Sequence, residues 1–395
     1  VSYLSSCEIL EKNVGMTILE YFVSLMKVDC DICIFGFGVD GKSIYDCMNK
    51  NGIDVCCICD NNWGQISERN IISPNLAFKQ NPKALFVVSS HLYSYEMEHQ
   101  LIDIGVPEKQ ILSFDSSIAL SYRGLLPQSA YSEMVSAMHY EITGIYPNLD
   151  TPKTFNEKML AAMIMPPISI KTELADKYKV RSWVRDKIGE KYLISLIGDW
   201  ENVENIPWEE LPNSYAMKLN HGSGFNFIVD GKKSVDVGVA KCMLRSWQKC
   251  NFGYRAYETQ YIPIKPRIIC EEYIENISDD VYDYKVFCFH GEPKYIMFLY
   301  QRKKGLKMIF LDLEWNVMPF VYSYPKGDIV PPKPKCLHEM IEVTKELCKS
   351  FDQVRVDWYV LNDGSIKFGE MTFTSAAGHA EWTPIEWDRR LGDMW

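Results

Sequence analysis

No run of apolar residues in this chain is long enough to span a bilayer, and the stretch "VSYLSSCEILEKN" lacks the basic-then-apolar grading of a secretory leader. The expectation is a cytoplasmic protein with neither signal peptide nor membrane span. Positive charge is also short: 42 Lys and Arg face 52 Asp and Glu, a formal net charge of -10. A phosphate backbone demands a concentrated basic surface, so nucleic acid is excluded as a general partner, while a local basic site for a small polyanion is not. Repeats and low-complexity tracts are absent, and "DIVPPKPK" at 328–335 is only a short spacer.

Cysteine, by contrast, is plentiful. The 13 cysteines are odd in number and scattered through apolar segments, which fits buried thiols in a reducing compartment rather than a disulfide framework. Two Cys-x-x-Cys pairs, Cys30/Cys33 and Cys56/Cys59, have zinc-like spacing. Both lie in strand-like runs, where residues three apart point to opposite faces, so neither pair converges on one ion.

At 395 residues the prior is two or three domains. Residues 31 to 120 alternate strands ("DICIFGFG", "IDVCCICD", "ALFVVSS", "QILSF") with helices near 42–50 and 92–104, the rhythm of a parallel α/β sheet. Helical, loop-rich sequence follows to about 200, with a capping-box pattern in "TFNEK" and one amphipathic stretch, "KTELADKYKVRSWVRDKIG". From 214 onward strands and hairpins dominate, with helices near 238–250 and 337–349. The expected fold class is therefore mixed. A Rossmann-like parallel-sheet domain (1–120) precedes a helical linker and opening segment (121–210) and two α+β subdomains (211–275 and 276–395).

Two glycine-bearing loops point to phosphate chemistry. In "GFGVDGKS", Gly36, Gly38 and Gly41 form Gly-x-Gly-x-x-Gly after a strand, and Asp60 ends the next strand where a ribose-binding acid belongs. The same residues with Lys42 and Ser43 match a Walker A loop, and a tight strand-to-helix turn explains them with no ligand at all. The second loop, "KLNHGSGFNFI", carries neither fingerprint. Its strand–turn–strand pattern can fold His221, Gly222, Ser223 and Gly224 over phosphates as a flap, with Lys218 as a point charge at its root. An ordinary hairpin, with His221 as a turn or core residue, is the plainer alternative.

The hairpin "VRVDWYVLNDGSIKFGEMTF" tips the balance. It places Asp357 and Glu370 on adjacent antiparallel strands, with Arg355 on the face of Asp357. Charges on a hydrophobic sheet are costly unless paired or bound to a metal. A buried salt bridge would meet that need, and so would Mg2+ shared with substrate phosphates.

With these stretches in view, the chain resembles the TupA-like group of ATP-grasp enzymes, associated with polysaccharide and teichuronopeptide synthesis. The likeness runs over about 140–395 and rests on "KTFNEKM", "ADKYKVRSWVRDKIGEKYLISLIGDW", "LPNSYAMKLNHGSGFNFI", "KPRIICEEYIE", "DYKVFCFHGEPKYI", "FLDLEWNVMPF", "VRVDWYVLNDGSIKFGEMTFT" and "EWDRRLGDM" together. The resemblance implies an ATP-grasp fold of two α+β subdomains that holds ATP with Mg2+ and makes an acylphosphate for attack by an amine.

Position by position, the resemblance gives Lys218 to the α/β-phosphates and Lys285 and Arg355 to the phosphate side of the reacting centre. The lid falls at 221–226, and Glu271, Glu272, Tyr273 and Ile274 form the adenine hinge. Asp357 and Glu370 match the magnesium carboxylates, with Thr372 where an asparagine is usual, and "SAAG" at 375–378 replaces a "PGSG"-like turn. The expected partners are an amino acid or other amine and a carboxylate-bearing sugar, nucleotide-sugar or glycan intermediate. The implied activity is an ADP-forming carboxylate–amine ligase acting on a uronic acid of a surface polysaccharide or its precursor. A glycan phosphotransferase and a non-catalytic nucleotide-sugar-binding protein are the alternatives.

Overall fold

The computed structural model describes residues 5–26, 30–65, 70–90, 92–231, 235–274, 283–301 and 305–395. The expected boundary at 275/276 lies outside the described residues.

Four parallel strands, β1 (Ile32–Phe35), β2 (Cys57–Cys59), β3 (Leu85–Val88) and β4 (Ile111–Ser113), lie in the order β2-β1-β3-β4. β1 is apolar throughout because both its faces are covered. Ile32 and Ile34 join a cluster with Phe22, Ile44 and Val87, while Cys33 and Phe35 join one with Phe86, Met97 and Leu101. Eight of the cysteines are buried, and Cys7 and Cys56 are exposed. Among the described residues no helix is long and apolar enough to cross a membrane.

A second sheet contains β5 (Leu196–Trp200), β6 (Ser214–Leu219), β7 (Asn226–Asp230) and β8 (Ile268–Glu272), ordered β5-β8-β6-β7. Alternation along β6 buries Tyr215, Met217 and Leu219 and leaves Lys218 on the opposite face. The helix Val237–Lys249 covers the apolar side through Leu244 and meets the helix Ser94–Asp103 of the first module. There Gly238 lets the His99 ring approach so closely that a Cβ would lie 1.9 Å from it.

The third sheet is antiparallel. It holds β9 (Asp283–Phe289), β10 (Glu292–Tyr300), β11 (Lys307–Leu311), β13 (Gln353–Val360) and β14 (Ile366–Thr372), ordered β11-β10-β9-β13-β14. A short ribbon pairs β12 (Val321–Tyr322) with β15 (Trp382–Thr383). Val354, Val356, Trp358 and Val360 pack under the helix Leu337–Cys348 with Tyr284, Val286 and Cys288. Arg355, Asp357 and Lys285 therefore share the other face.

One expected element breaks in two. The amphipathic stretch after Lys171 forms the helices Ser169–Ala175 and Val180–Ile188, interrupted at Asp176. The Asp176 carboxylate accepts from the backbone N–H groups of Tyr178 and Lys179 and from Asn220 Nδ2, and this local capping competes with a continuous helix. The capping box Thr154/Glu157 forms as its spacing predicts.

Candidate active site

The site is built on a row of three side chains across three strands. Lys285 on β9 is the register partner of Asp357 on β13, which is the partner of Glu370 on β14. Arg355 and Thr372 form the next row. A bulge makes this possible: Trp358 pairs with Phe368 but Asp357 pairs with Glu370, leaving Gly369 as the extra residue. Without it Glu370 and Thr372 would point into the core in place of Met371 and Phe373. Glycine suits that position, because a Cβ there would lie 3.1 Å from the carbonyl oxygen of Asp357.

The charges are closely matched. Arg355 Nε donates to Asp357 Oδ1 at 2.7 Å, and Arg355 Nη2 donates to Asp357 Oδ2 at 2.9 Å, to Glu370 Oε1 at 3.2 Å and to Thr372 Oγ1 at 3.0 Å. Lys285 Nζ donates to Asp357 Oδ2 and lies 2.8 Å from Asp283 Oδ2. Burial opposes charge on Lys285, but Asp357 and Asp283 outweigh it and hold the ammonium above the usual amine range. Burial pushes the Glu370 carboxyl up, and Lys177, Lys285 and Arg355 together bring it well below the usual carboxylate range.

The second sheet faces this cluster. Lys218 Nζ lies 2.8 Å from Glu271 Oε2, and Arg181 Nη1 lies 2.7 Å from Glu271 Oε1. Lys177 spans the gap: its Nζ donates to the carbonyl oxygen of Gly222 at 2.6 Å and pairs with Glu370 Oε2 at 3.3 Å. Between the sheets opens a cavity of about 310 Å3, lined by Ile194, Glu272, Tyr273, Ile274, Asn362 and Lys367 among others. That volume suits a nucleoside-sized group. A narrow adjoining gap is lined by Lys177, Arg181, Lys218, Glu271, Phe368 and Gly369.

Several expected residues sit differently from the simplest reading. His221 is 1 % exposed as a whole residue, its ring tilted against Phe225 and hydrogen-bonded through Nε2 to the Cys250 carbonyl, so it does not face the cleft. Burial lowers the pKa of this imidazole. Gly222 is closed in by Phe252, whose ring a Cβ would meet at 2.6 Å, whereas Ser223 and Gly224 form the exposed tip. Of the four hinge residues, Glu272, Tyr273 and Ile274 line the cavity, and the Glu271 side chain turns away to hold Lys218 and Arg181.

In the first module, Asp60 accepts from the backbone N–H groups of Phe37 and Asn62 at 2.9 and 2.8 Å, one donor on each carboxylate oxygen. Gly36 has φ +95°, and a Cβ on Gly41 would meet the Gly36 carbonyl at 2.1 Å. Tight packing accounts for these two glycines, and the two backbone donors orient Asp60. Gly38 caps the helix Val39–Lys50 without a side-chain bond and has open space around it.

Lys177, Arg181 and Asp283 belong to the site and escape a reading of residue types. Lys177 and Arg181 lie in a stretch whose charge pattern is that of a solvated helix face, and only the break at Asp176 turns them inward.

A family model described as TupA-like ATPgrasp matches residues 158–395. No curated protein matches the chain. Solved structures with some likeness include a D-alanine–D-alanine ligase of Bacillus anthracis complexed with ATP, at 12% identity and TM-score 0.32, covering 92% of this chain and 96% of that one. An L-amino acid ligase of Bacillus licheniformis aligns at 11% identity and TM-score 0.37, covering 93% and 76%. N5-carboxyaminoimidazole synthase of Aspergillus clavatus, in complex with ADP and 5-aminoimidazole ribonucleotide, aligns at 14% and 0.30, covering 88% and 70%.

Proposed function

The chain belongs to the TupA-like ATP-grasp family, an enzyme family of the ATP-grasp ligases, and from that premise we propose that it joins a carboxylate to an amine through an acylphosphate, releasing ADP and phosphate. The observation that carries this reading is the cation-rich cleft between two sheets: Lys177 and Lys218 approach from one side, Lys285 and Arg355 from the other, beside a base-sized cavity.

Adenine would occupy the cavity against the backbone of Glu272 to Ile274, with the triphosphate extending past Lys218 toward Arg355. The four cations then bind and orient the phosphates and stabilise charge on the transferred phosphoryl group. The lid tip at Ser223 and Gly224 closes over it and excludes water from a hydrolysable intermediate.

Magnesium fits this site as the companion of a triphosphate rather than as a bare ion. Among the described residues no group of three or more His, Cys, Asp and Glu side chains converges to hold a metal. Asp283, Asp357 and Glu370 already match Lys177, Lys285 and Arg355 charge for charge. A bare dication would upset that balance, whereas one arriving with a polyphosphate would let the cations turn to phosphate oxygens and free Asp357 and Glu370. Thr372 is the remaining oxygen donor. When bound, Mg2+ supplies charge neutralisation at the phosphates.

We take the carboxylate to be a uronic acid or related group of a surface glycan or its precursor, and the amine to be an amino acid. The family's association with polysaccharide and teichuronopeptide synthesis supports that choice. Incubation with ATP, Mg2+, uronic acids and amino acids, read by mass spectrometry, tests it. ADP, phosphate and an amide are expected. AMP with pyrophosphate would reject the mechanism, and a stable phosphorylated sugar would establish a kinase instead.

A further inference from the structure

A carboxylic acid sits behind the turn that follows β14, in a place the phosphate chemistry does not use. Glu258 is 6 % exposed and belongs to a rigid segment, with its own N–H bonded to the Gly253 carbonyl and the neighbouring Thr259 hydroxyl bonded to the Met163 carbonyl. Its Oε1 accepts the Thr374 hydroxyl, and Gln260 Nε2 donates to that same hydroxyl oxygen at 2.8 Å. The next residue, Ser375, accepts from Arg355 Nη1 at 3.5 Å, so the turn touches the reacting centre directly. Ala376, Ala377 and Gly378 then run consecutively in the left-handed region at φ 51°, 49° and 71°. For the two alanines that conformation costs about 1 kcal/mol or more each, which makes this a strained turn beside a reaction site.

The hydrogen-bond inventory of Thr374 is nearly closed. A hydroxyl has one proton and two lone pairs. The proton goes to Glu258 and one lone pair to Gln260, so that one lone pair remains on a residue that is 6 % exposed. The charged groups whose fields reach Glu258 are Arg255, Glu370 and Lys177, with Tyr261 buried beside it. Burial first, then Glu370, push its carboxyl up to about 7 against the pull of Thr374, Arg255 and Lys177.

We propose that Glu258, acting through the Thr374 hydroxyl, is the proton sink for the amine-attack step. The proposal rests on the ligase reading above. An amine substrate arrives protonated and cannot attack in that form. Its N–H donates to the free lone pair of Thr374 Oγ1 and passes a proton to it, while the Thr374 proton moves to Glu258. The freed nitrogen lone pair forms the C–N bond, the acyl C–O bond breaks, and phosphate leaves with that electron pair and takes the second amine proton. Glu258 later returns its proton to solvent. Glu258 is a positioning residue in this scheme, and Thr374 is the group that touches the amine.

Hydroxylamine separates this role from mere support of the turn, because it is uncharged at neutral pH and needs no base. Wild-type protein, Glu258→Gln, Glu258→Asp and Thr374→Val are incubated with ATP, Mg2+ and glucuronic and galacturonic acids. Each receives either hydroxylamine or a mixture of the common amino acids. The ratio of amide to hydroxamate should fall on the order of 10²-fold in Glu258→Gln and Thr374→Val, the size of a lost general base. Glu258→Asp should recover part of it, and the limb of the amide pH profile near neutrality should vanish in Glu258→Gln. Equal loss of both products would overturn the proposal and leave Glu258 a clamp, as would hydroxamate without amide from wild type. No hydroxamate from wild type would instead overturn the ligase reading, and the proposal with it.

Discussion

Lys177 and Glu370 meet across the cleft, Nζ to Oε2 at 3.3 Å, while the same ammonium holds the Gly222 carbonyl at 2.6 Å. One side chain thus ties the root of the lid to a carboxylate of the opposite sheet. On the proposed reading, nucleotide entering the cleft competes for that cation, which would link the position of this loop to the charge on Glu370.

The two carboxylates should separate by stability, although the proposed mechanism requires both for turnover. Asp357 is 1 % exposed between Arg355 and Lys285, so Asp357→Asn leaves two cations short of a partner and should cost about 3 kcal/mol. A shape-conserving change at this position therefore does not leave the fold untouched. Glu370→Gln should also cost stability, because Lys177, Lys285 and Arg355 hold that carboxylate ionised, but less than Asp357→Asn, since the Glu370 side chain is 31% exposed. ATP turnover should fall by about 10²-fold or more in either variant. Urea unfolding alongside an ADP assay checks both, and wild-type turnover in either would contradict the site.

Within the lid, Gly222 and Gly224 are glycines for different reasons. Gly222→Ala drives a Cβ into the Phe252 ring and should cost about 1–3 kcal/mol through overpacking. Gly224 has φ +85° and open space, so Gly224→Ala should cost only about 1 kcal/mol, from backbone conformation. Denaturant midpoints of the two variants test this, and a larger loss for Gly224→Ala would contradict the packing.

His139 and His379 face one another through their Nδ1 atoms at 3.4 Å, both buried. Burial, then His139, lower the pKa of His379 to about 4 from the ordinary 6.5. The unfolded chain therefore binds this proton first as pH falls. The contribution of neutral His379 is full above pH 6.5 and is lost on going down toward pH 4, a swing of about 3 kcal/mol. Glu258 and Asp388, raised to about 7 and about 6, favour the native state in the opposite sense. The informative quantity is thus the stability difference between wild type and His379→Gln, which should shrink between pH 7 and pH 4.5. A pH-independent difference would refute the assignment.

Much of this arrangement is legible from residue order. Strand–helix alternation yields the parallel sheet, and the "NDG" turn puts Asp357 and Glu370 on adjacent antiparallel strands. What escapes is whatever depends on a partner far along the chain. Lys177 and Arg181 resemble a solvated helix face until Asp176 breaks the helix and Asn220 anchors the break. His221, in a polar loop, invites a ligand role, yet the Cys250 carbonyl and Phe225 draw its ring inward. Asp60 stands where a ribose-binding acid would, and the two backbone N–H groups that orient it are invisible in the residue order. The bulge at Gly369, which sends Glu370 toward the cleft, leaves only a glycine as its trace.

Oxygen transfer tests the acylphosphate most directly. With the carboxylate substrate labelled by 18O on both oxygens, attack of that carboxylate on the γ-phosphoryl group moves one labelled oxygen into the phosphate released when the amine attacks. The account predicts one 18O per inorganic phosphate, one retained in the amide carbonyl, and none in ADP. Unlabelled phosphate accompanying amide formation would contradict it.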